Sequence, residues 1–157
     1  MVIGIISDTH GRIKEKAFNA LKGSDIIVHA GDIGGQEILD TLKDIAPVYA
    51  VRGNIDRDNW AWDLPMTQVV EAGGKLIYVI HNINMMDLDA KAAGIDVVIY
   101  GHSHKPKKEE KNGILYFNPG SAGPKRFNLP ICLGRMEIKD GNIDTEWIDL
   151  EDRSNAP

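Results

Sequence analysis

One cysteine, Cys132, stands in the 157 residues of this chain. It can form no internal disulfide and no thiolate-based zinc cluster, and such scarcity suits a reducing compartment, so a cytoplasmic location is expected. No apolar run approaches the roughly 20 residues of a membrane-spanning helix, and nothing reads as a signal peptide. Positive charge is short as well: 18 Lys and Arg face 23 Asp and Glu, a net charge of -5. General nucleic-acid binding rewards a basic surface and is not expected. There is no repeat, low-complexity segment or linker. No G-x-G-x-x-G follows the first apolar run, which argues against a dinucleotide-binding fold. What remains is 43% hydrophobic and 26% charged, the composition of an ordinary globular domain. A single domain is expected over residues 1–150, with a frayed polar tail at 151–157.

Short apolar runs alternate with amphipathic stretches. Residues 2–6 (VIGII), 26–28, 48–51 (VYAV), 76–80 (LIYVI) and 97–100 (VVIY) read as buried strands. Helical spacing covers 13–21 and 37–45, and a weaker third helix is predicted over 88–93, ending at Gly94. Further on, 114–117, 131–138 and 142–148 read as antiparallel strands, the last two joined at Asp140-Gly141. The first half is thus a βαβαβ pattern with a parallel sheet, and the second half adds a β-rich layer.

The polar residues that follow these strands share one chemistry. VIGII runs into Ser7-Asp8-Thr9-His10, and the second strand into Gly31-Asp32. The third leads to Gly53-Asn54-Ile55-Asp56, the fourth to His81-Asn82 and the fifth to Gly101-His102-Ser103-His104. In α/β sheets ligands bind beyond the C-terminal strand ends, where the loops converge. Asp8, His10, Asp32, Asn54, His81, His102 and His104 then supply seven nitrogen or oxygen donors to one crevice. Glycines stand directly before three of them, where a chain must turn sharply or approach another closely. A plainer reading makes these glycines turn formers and the aspartates helix caps. It suits Asp8 taken alone, but leaves two carboxylates and several imidazoles crowded without purpose.

Imidazole with carboxylate suits manganese, zinc, iron or nickel better than magnesium or calcium. Seven ligands exceed what one ion needs and suit two divalent ions sharing a carboxylate, an arrangement that hydrolyses phosphate esters. Such a pair, with Asp8, Asp32 and a bridging hydroxide, leaves a net positive pocket in an acidic protein. The expected reaction is attack of that hydroxide on phosphorus in line with the leaving group.

The series Asp8-Thr9-His10, Gly31-Asp32, Gly53-Asn54-Ile55-Asp56, His81 and Gly101-His102-Ser103-His104 resembles the calcineurin-like metallophosphoesterases. The short length and Asn118-Pro119-Gly120-Ser121 look most like their small YfcE/MJ0936-type phosphodiesterase branch. The resemblance spans roughly residues 1–126. It implies a four-layer α/β/β/α sandwich, two mixed β-sheets flanked by helices. It also implies that Asp8, His10, Asp32 and His104 hold one ion while Asp32, Asn54, His81 and His102 hold the other. Asp32 would then bridge, Asn54 would orient a phosphoryl oxygen, and both would count as catalytic. Manganese is the expected metal and a small-molecule phosphodiester the expected partner, with no membrane involved and a homodimer left open.

Two residues depart from the family pattern. Many relatives carry histidine directly after the ligand asparagine, and Ile55 can donate no proton to a leaving group. Asn82-Ile83-Asn84 replaces the usual glycine and histidine after His81, so the pocket shape is expected to differ. The same family includes a retromer-type trafficking subunit that uses the fold as a protein-interaction scaffold. That subunit lacks the counterpart of His10, so His10 favours catalysis over the scaffold alternative. Among other residues, His29 reads as a buried, hydrogen-bonded histidine, Asp56 as a support for the Asn54 turn, and 118–121 as a structural turn. Trp60 and Trp62 read first as core, then as a substrate wall or subunit contact. Lys125 and Arg126 are either substrate contacts or solvated charge, and Lys107, Lys108 and Lys111 mark a solvated face.

Overall fold

The computed structural model describes residues 1–151; of the expected tail at 151–157, residues 152–157 lie outside the described residues. Among the described residues, ten strands form two five-stranded sheets. The first contains β1 (Val2–Ile6), β2 (Ile26–His29), β3 (Val48–Ala50), β9 (Cys132–Lys139) and β10 (Asn142–Asp149), in the order β10-β9-β1-β2-β3. The second contains β4 (Thr67–Ala72), β5 (Lys75–Ile80), β6 (Val97–Ile99), β7 (Lys107–Lys111) and β8 (Ile114–Asn118), in the order β4-β5-β6-β8-β7. β1, β2 and β3 run parallel, as do β5, β6 and β8, while each sheet's remaining strands pair antiparallel. Both sheets are therefore mixed.

Period-two burial explains the layering. Ile3, Ile5, Val28, Ile77, Val79, Val97, Ile99 and Phe117 point between the sheets and form the central core. The alternate residues face outward. On the first sheet Ile6 and Ile27 meet Ala17 and Leu21 of α1 (Glu15–Leu21) and Ile38, Leu39 and Leu42 of α2 (Gln36–Lys43). On the second, Tyr78, Ile80, Val98 and Tyr100 pack with Ala90 and Ile95, and with the partly buried Ile83 and Met86. A strand buried on both faces must be apolar throughout, which is why these segments read as unbroken runs.

The fourth and fifth predicted strands are β5 and β6 and belong to the second sheet. One expectation needs correction. The predicted helix at 88–93 is a set of turns. Asp89 closes it through Ala92 N–H to its side chain at 3.2 Å and Ala93 N–H to its carbonyl at 3.0 Å, and Gly94 follows at φ 75°. One turn before a glycine is too short a nucleus to propagate. The outer layer of the second sheet is accordingly a loop carrying a 3-10 helix, Ile83–Met85. β4 was not foreseen. Its alternation of exposed and buried residues and the Gly73-Gly74 turn, both at positive φ, are the hairpin signature that marks it. The lysine-rich run at 107–111 is indeed mostly exposed, but it forms the edge strand β7, with Glu109 pairing Lys107 at 2.6 Å and Lys111 at 3.0 Å.

Phe117 is fully buried in the inter-sheet core and stacks on Trp147, ring centroids 5.4 Å apart. Phe117→Ala should cost about 3–5 kcal/mol in urea unfolding. A loss below about 1 kcal/mol would contradict this packing.

Candidate metal centre

The parallel strands of both sheets end at one edge, and their loops are stitched together there. The backbone of Asp8 donates to Gly31 O at 3.0 Å, His10 to Asp32 O at 3.0 Å and Gly101 to His81 O at 2.9 Å. His102 N–H donates to Asp8 Oδ2 at 3.2 Å across the two sheets. Asp8, His10, Asp32, His102 and His104 all adopt left-handed φ between 51° and 71°. Such backbone costs about 1–3 kcal/mol per residue and persists only where the surroundings enforce it. Of the eight described non-glycine residues with positive φ, five are these ligand candidates.

Their side-chain atoms converge. Asp8 Oδ1 lies 3.4 Å from His104 Nε2, 3.9 Å from His10 Nε2 and 4.0 Å from His81 Nε2. Asp32 Oδ2 lies 3.3 Å from His81 Nε2 and 3.8 Å from His10 Nε2. Two groupings have their ligand atoms mutually within 4.8 Å: Asp8 with His10 and His104, and Asp8 with Asp32 and His81. Asn54 joins the second, its Oδ1 3.1 Å from His81 Nε2. His102 stands at the rim: its ring is exposed, meets His81 edge-on at 5.2 Å between centroids, and lies outside both groupings.

The hydrogen bonds show what these atoms lack. Ala30 O can only accept, so His81 Nδ1, 2.7 Å away, carries the proton. In the neutral ring Nε2 is then a lone pair, facing Asp32 and the amide oxygen of Asn54. Exchanging the nitrogen and oxygen of Asn54 would satisfy these contacts without a cation; the orientation in which oxygen meets lone pairs is the one a cation satisfies. Asp8 Oδ1 and His10 Nε2 are buried with no hydrogen-bond partner, a costly state for polar atoms. Nitrogen and carboxylate donors of this kind fit a divalent transition metal. Burial opposes protonation of His81, but the Asp32 hydrogen bond and the charges of Asp8 and Asp32 outweigh it, and its pKa is raised. Burial also pushes the Asp32 carboxyl up, yet His81, the Ile55 N–H and His10 bring it below its ordinary value. His10 is lowered, first by burial.

A surrounding layer fixes these groups. Ser7 Oγ donates to Asp8 Oδ2 at 2.7 Å, which turns Oδ1 toward the imidazoles. Asp56 accepts from Ile33 N–H at 3.1 Å, Gly34 N–H at 3.0 Å and Gly53 N–H at 2.9 Å, clamping the loops of Asp32 and Asn54 together. Asn118 Nδ2 donates to Gly101 O at 3.1 Å and Ser103 Oγ at 3.2 Å, and Ser121 Oγ to Asp8 O at 3.2 Å. The turn at 118–121 thus braces the centre through side chains, and Ser7 and Asn118 were the supports sequence reasoning missed. Their signal was position, each lying at the end of a buried strand. Gly31, at φ 103°, would place a Cβ 2.7 Å from His81 Nδ1, so only glycine fits there. Trp60 packs on the core, whereas Trp62 is 60% exposed.

A family profile for the calcineurin-like phosphoesterase superfamily domain matches residues 1–141. The chain belongs to the calcineurin-like phosphoesterases. Within this superfamily it is 34% identical over 165 residues to a probable metallophosphoesterase, MJ0623, of Methanocaldococcus jannaschii, covering 97% of this chain and 83% of that protein. Phosphodiesterase MJ0936 of the same organism is 28% identical over 164 residues, covering 93% and 94%. The solved structure of zinc-complexed Vps29 from Entamoeba histolytica superimposes with TM-score 0.75 at 23% identity, covering 96% of this chain and all of that one. That likeness shows the calcineurin-like phosphoesterase fold.

His29 is held at both ring nitrogens. Nδ1 accepts from Gly31 N–H at 3.1 Å, so Nε2 bears the proton toward Thr9 Oγ1 at 3.0 Å, and that hydroxyl donates to Ile33 O at 2.8 Å. Complete burial pushes its pKa down to about 3. Between the unfolded value near 6.5 and about 3 the unfolded state binds one more proton, so this contribution is complete above pH 6.5 and is lost as pH falls. The loss approaches about 1.4 kcal/mol per pH unit. His29→Gln should therefore flatten the fall in urea-unfolding stability between pH 7 and pH 4. An unchanged slope would show that His29 does not titrate in this way.

Proposed function

We propose that this chain is a metal-dependent phosphodiesterase that binds two divalent transition-metal ions, manganese foremost. The observation that carries the reading is the convergence of Asp8 Oδ1, Asp32, His10, His81, His104 and Asn54 Oδ1 on one crevice. In it two buried atoms lack any hydrogen-bond partner. Asp8, His10 and His104 hold the first ion, Asn54, His81 and His102 the second, and Asp32, which reaches both His10 and His81, lies between. When bound, divalent ions supply water activation near neutral pH and neutralise the phosphoryl oxygens. The protein's part is to hold that geometry rigid through Ser7, Asp56 and Asn118, and to orient a phosphoryl oxygen with the Asn54 side chain.

Ile55 contributes its backbone, donating N–H to Asp32 Oδ1 at 3.1 Å, while its side chain is 42% exposed and offers no proton. Esters whose leaving groups depart unprotonated are therefore the favoured substrates. A scaffold role like that of the retromer-type subunit would not need His10, and its presence in the ligand set supports catalysis.

Purified protein should hydrolyse bis(4-nitrophenyl) phosphate when supplied with manganese and lose that activity to a chelator. His102→Ala and His104→Ala should each reduce the rate by about 10²-fold or more, with circular dichroism unchanged. Wild-type rates in both variants at saturating metal would sink the assignment.

A further inference from the structure

Two clefts flank the centre, and they differ in chemistry. The one on the His10 side, about 270 Å³, carries Arg12 and Lys14. The one on the other side, about 480 Å³, has Asn54, His81 and His102 among its walls, so it opens directly onto the second half of the ligand set. Met66, Met85 and Ile80 give it an apolar wall, and Thr67, Asn82 and Asp87 add polar groups beside them. Met66 is 49% and Met85 66% exposed, although neither is needed to complete a core. Arg52 lines the same cleft. Its guanidinium lies over Trp62, 4.9 Å from the ring centroid, and its Nε approaches Met66 Sδ at 3.3 Å. Among the described residues Arg52 makes no ion pair.

A phosphate held by the converging ligands has this second cleft open to one ester substituent. Hydroxyl-rich or small alkyl substituents gain little from methionine walls. A flat aromatic ring gains a great deal: it buries apolar area, and thioether–ring contacts add about 0.3–1.5 kcal/mol each. Methionine adapts its shape to such a ring, and a stacked, unpaired arginine at the edge suits the acceptor atoms or π-face of an unsaturated ring. The volume lies within the range that accommodates small ligands. Trp62 holds Arg52 in place, which accounts for a tryptophan left exposed beside the Asn54 loop.

We infer that the cleft walled by Met66, Met85 and Ile80 is the seat of an aromatic ester arm, so that the substrate class is aryl or nucleobase-bearing phosphate esters rather than alkyl ones. This rests on the phosphoesterase reading in that the phosphate sits at the ligand cluster; it adds which substituent the site selects.

The test is a binding measurement that requires no turnover. The full chain, loaded with zinc and carrying ¹³C-methyl methionine, is titrated with phenylphosphonate and separately with methylphosphonate. Both carry the same dianionic head and neither is hydrolysed. The Met66 and Met85 methyl signals should shift with the phenyl compound alone, while buried Met136 stays fixed. Phenylphosphonate should bind about tenfold more tightly, the equivalent of about 1.4 kcal/mol. The double variant Met66→Ser, Met85→Ser should erase that preference and leave methylphosphonate affinity unchanged. Equal shifts with both ligands, no shift at Met66 and Met85, or a preference that survives in the double variant overturns the assignment. A chain with the phenyl preference that hydrolyses no phosphate ester would refute the catalytic reading and leave the cleft assignment standing. A chain that hydrolyses esters without the preference would do the reverse.

Discussion

Asp8 and Asp32 are carboxylates buried within reach of the same His81 nitrogen, and much of the local structure exists to keep them there. Like charges and lone pairs at such distances repel unless a cation lies among them. Ser7 and the His102 N–H occupy one oxygen of Asp8, the Ile55 N–H one oxygen of Asp32, and Ala30 O fixes the His81 tautomer. In each case the hydrogen bond removes one direction of satisfaction and leaves the other aimed into the crevice. The left-handed backbone at five of these residues is part of the same constraint, since a relaxed chain would turn the side chains apart.

The two-sheet arrangement makes that crowding affordable. β1 and β2 of one sheet and β5 and β6 of the other end at a common edge, so residues 94 positions apart meet through the hydrogen bond from His102 N–H to Asp8. Asp56 and Asn118 add rigidity without touching the crevice: Asp56 joins the loops after β2 and β3, and Asn118 ties the end of β8 to the loop after β6. A metal centre built on strand ends braced in this way is held more accurately than one on free loops.

Much of this was legible in the sequence. A strand buried on both faces reads as an unbroken apolar run, and a polar residue placed directly after it must emerge at the sheet edge, which located Asp8, Asp32 and His81. The division of strands between sheets was not legible, because double-sided burial looks the same whichever sheet a strand joins; β5 and β6 are the example. β4 escaped because an alternating strand such as TQVVEA is only half buried. The 88–93 segment had helical composition, but its single turn is stopped by Gly94. Side-chain supports such as Asn118 to Gly101 O depend on which loops become neighbours, which composition and periodicity do not specify.

Two ions sharing Asp32 are the core of the proposed function, and anomalous diffraction from manganese-loaded crystals tests that arrangement most directly. Two peaks are predicted, one among Asp8, His10 and His104 and one among Asn54, His81 and His102, about 3.5–4 Å apart with Asp32 between them. A single fully occupied peak in protein that is active with manganese would contradict it.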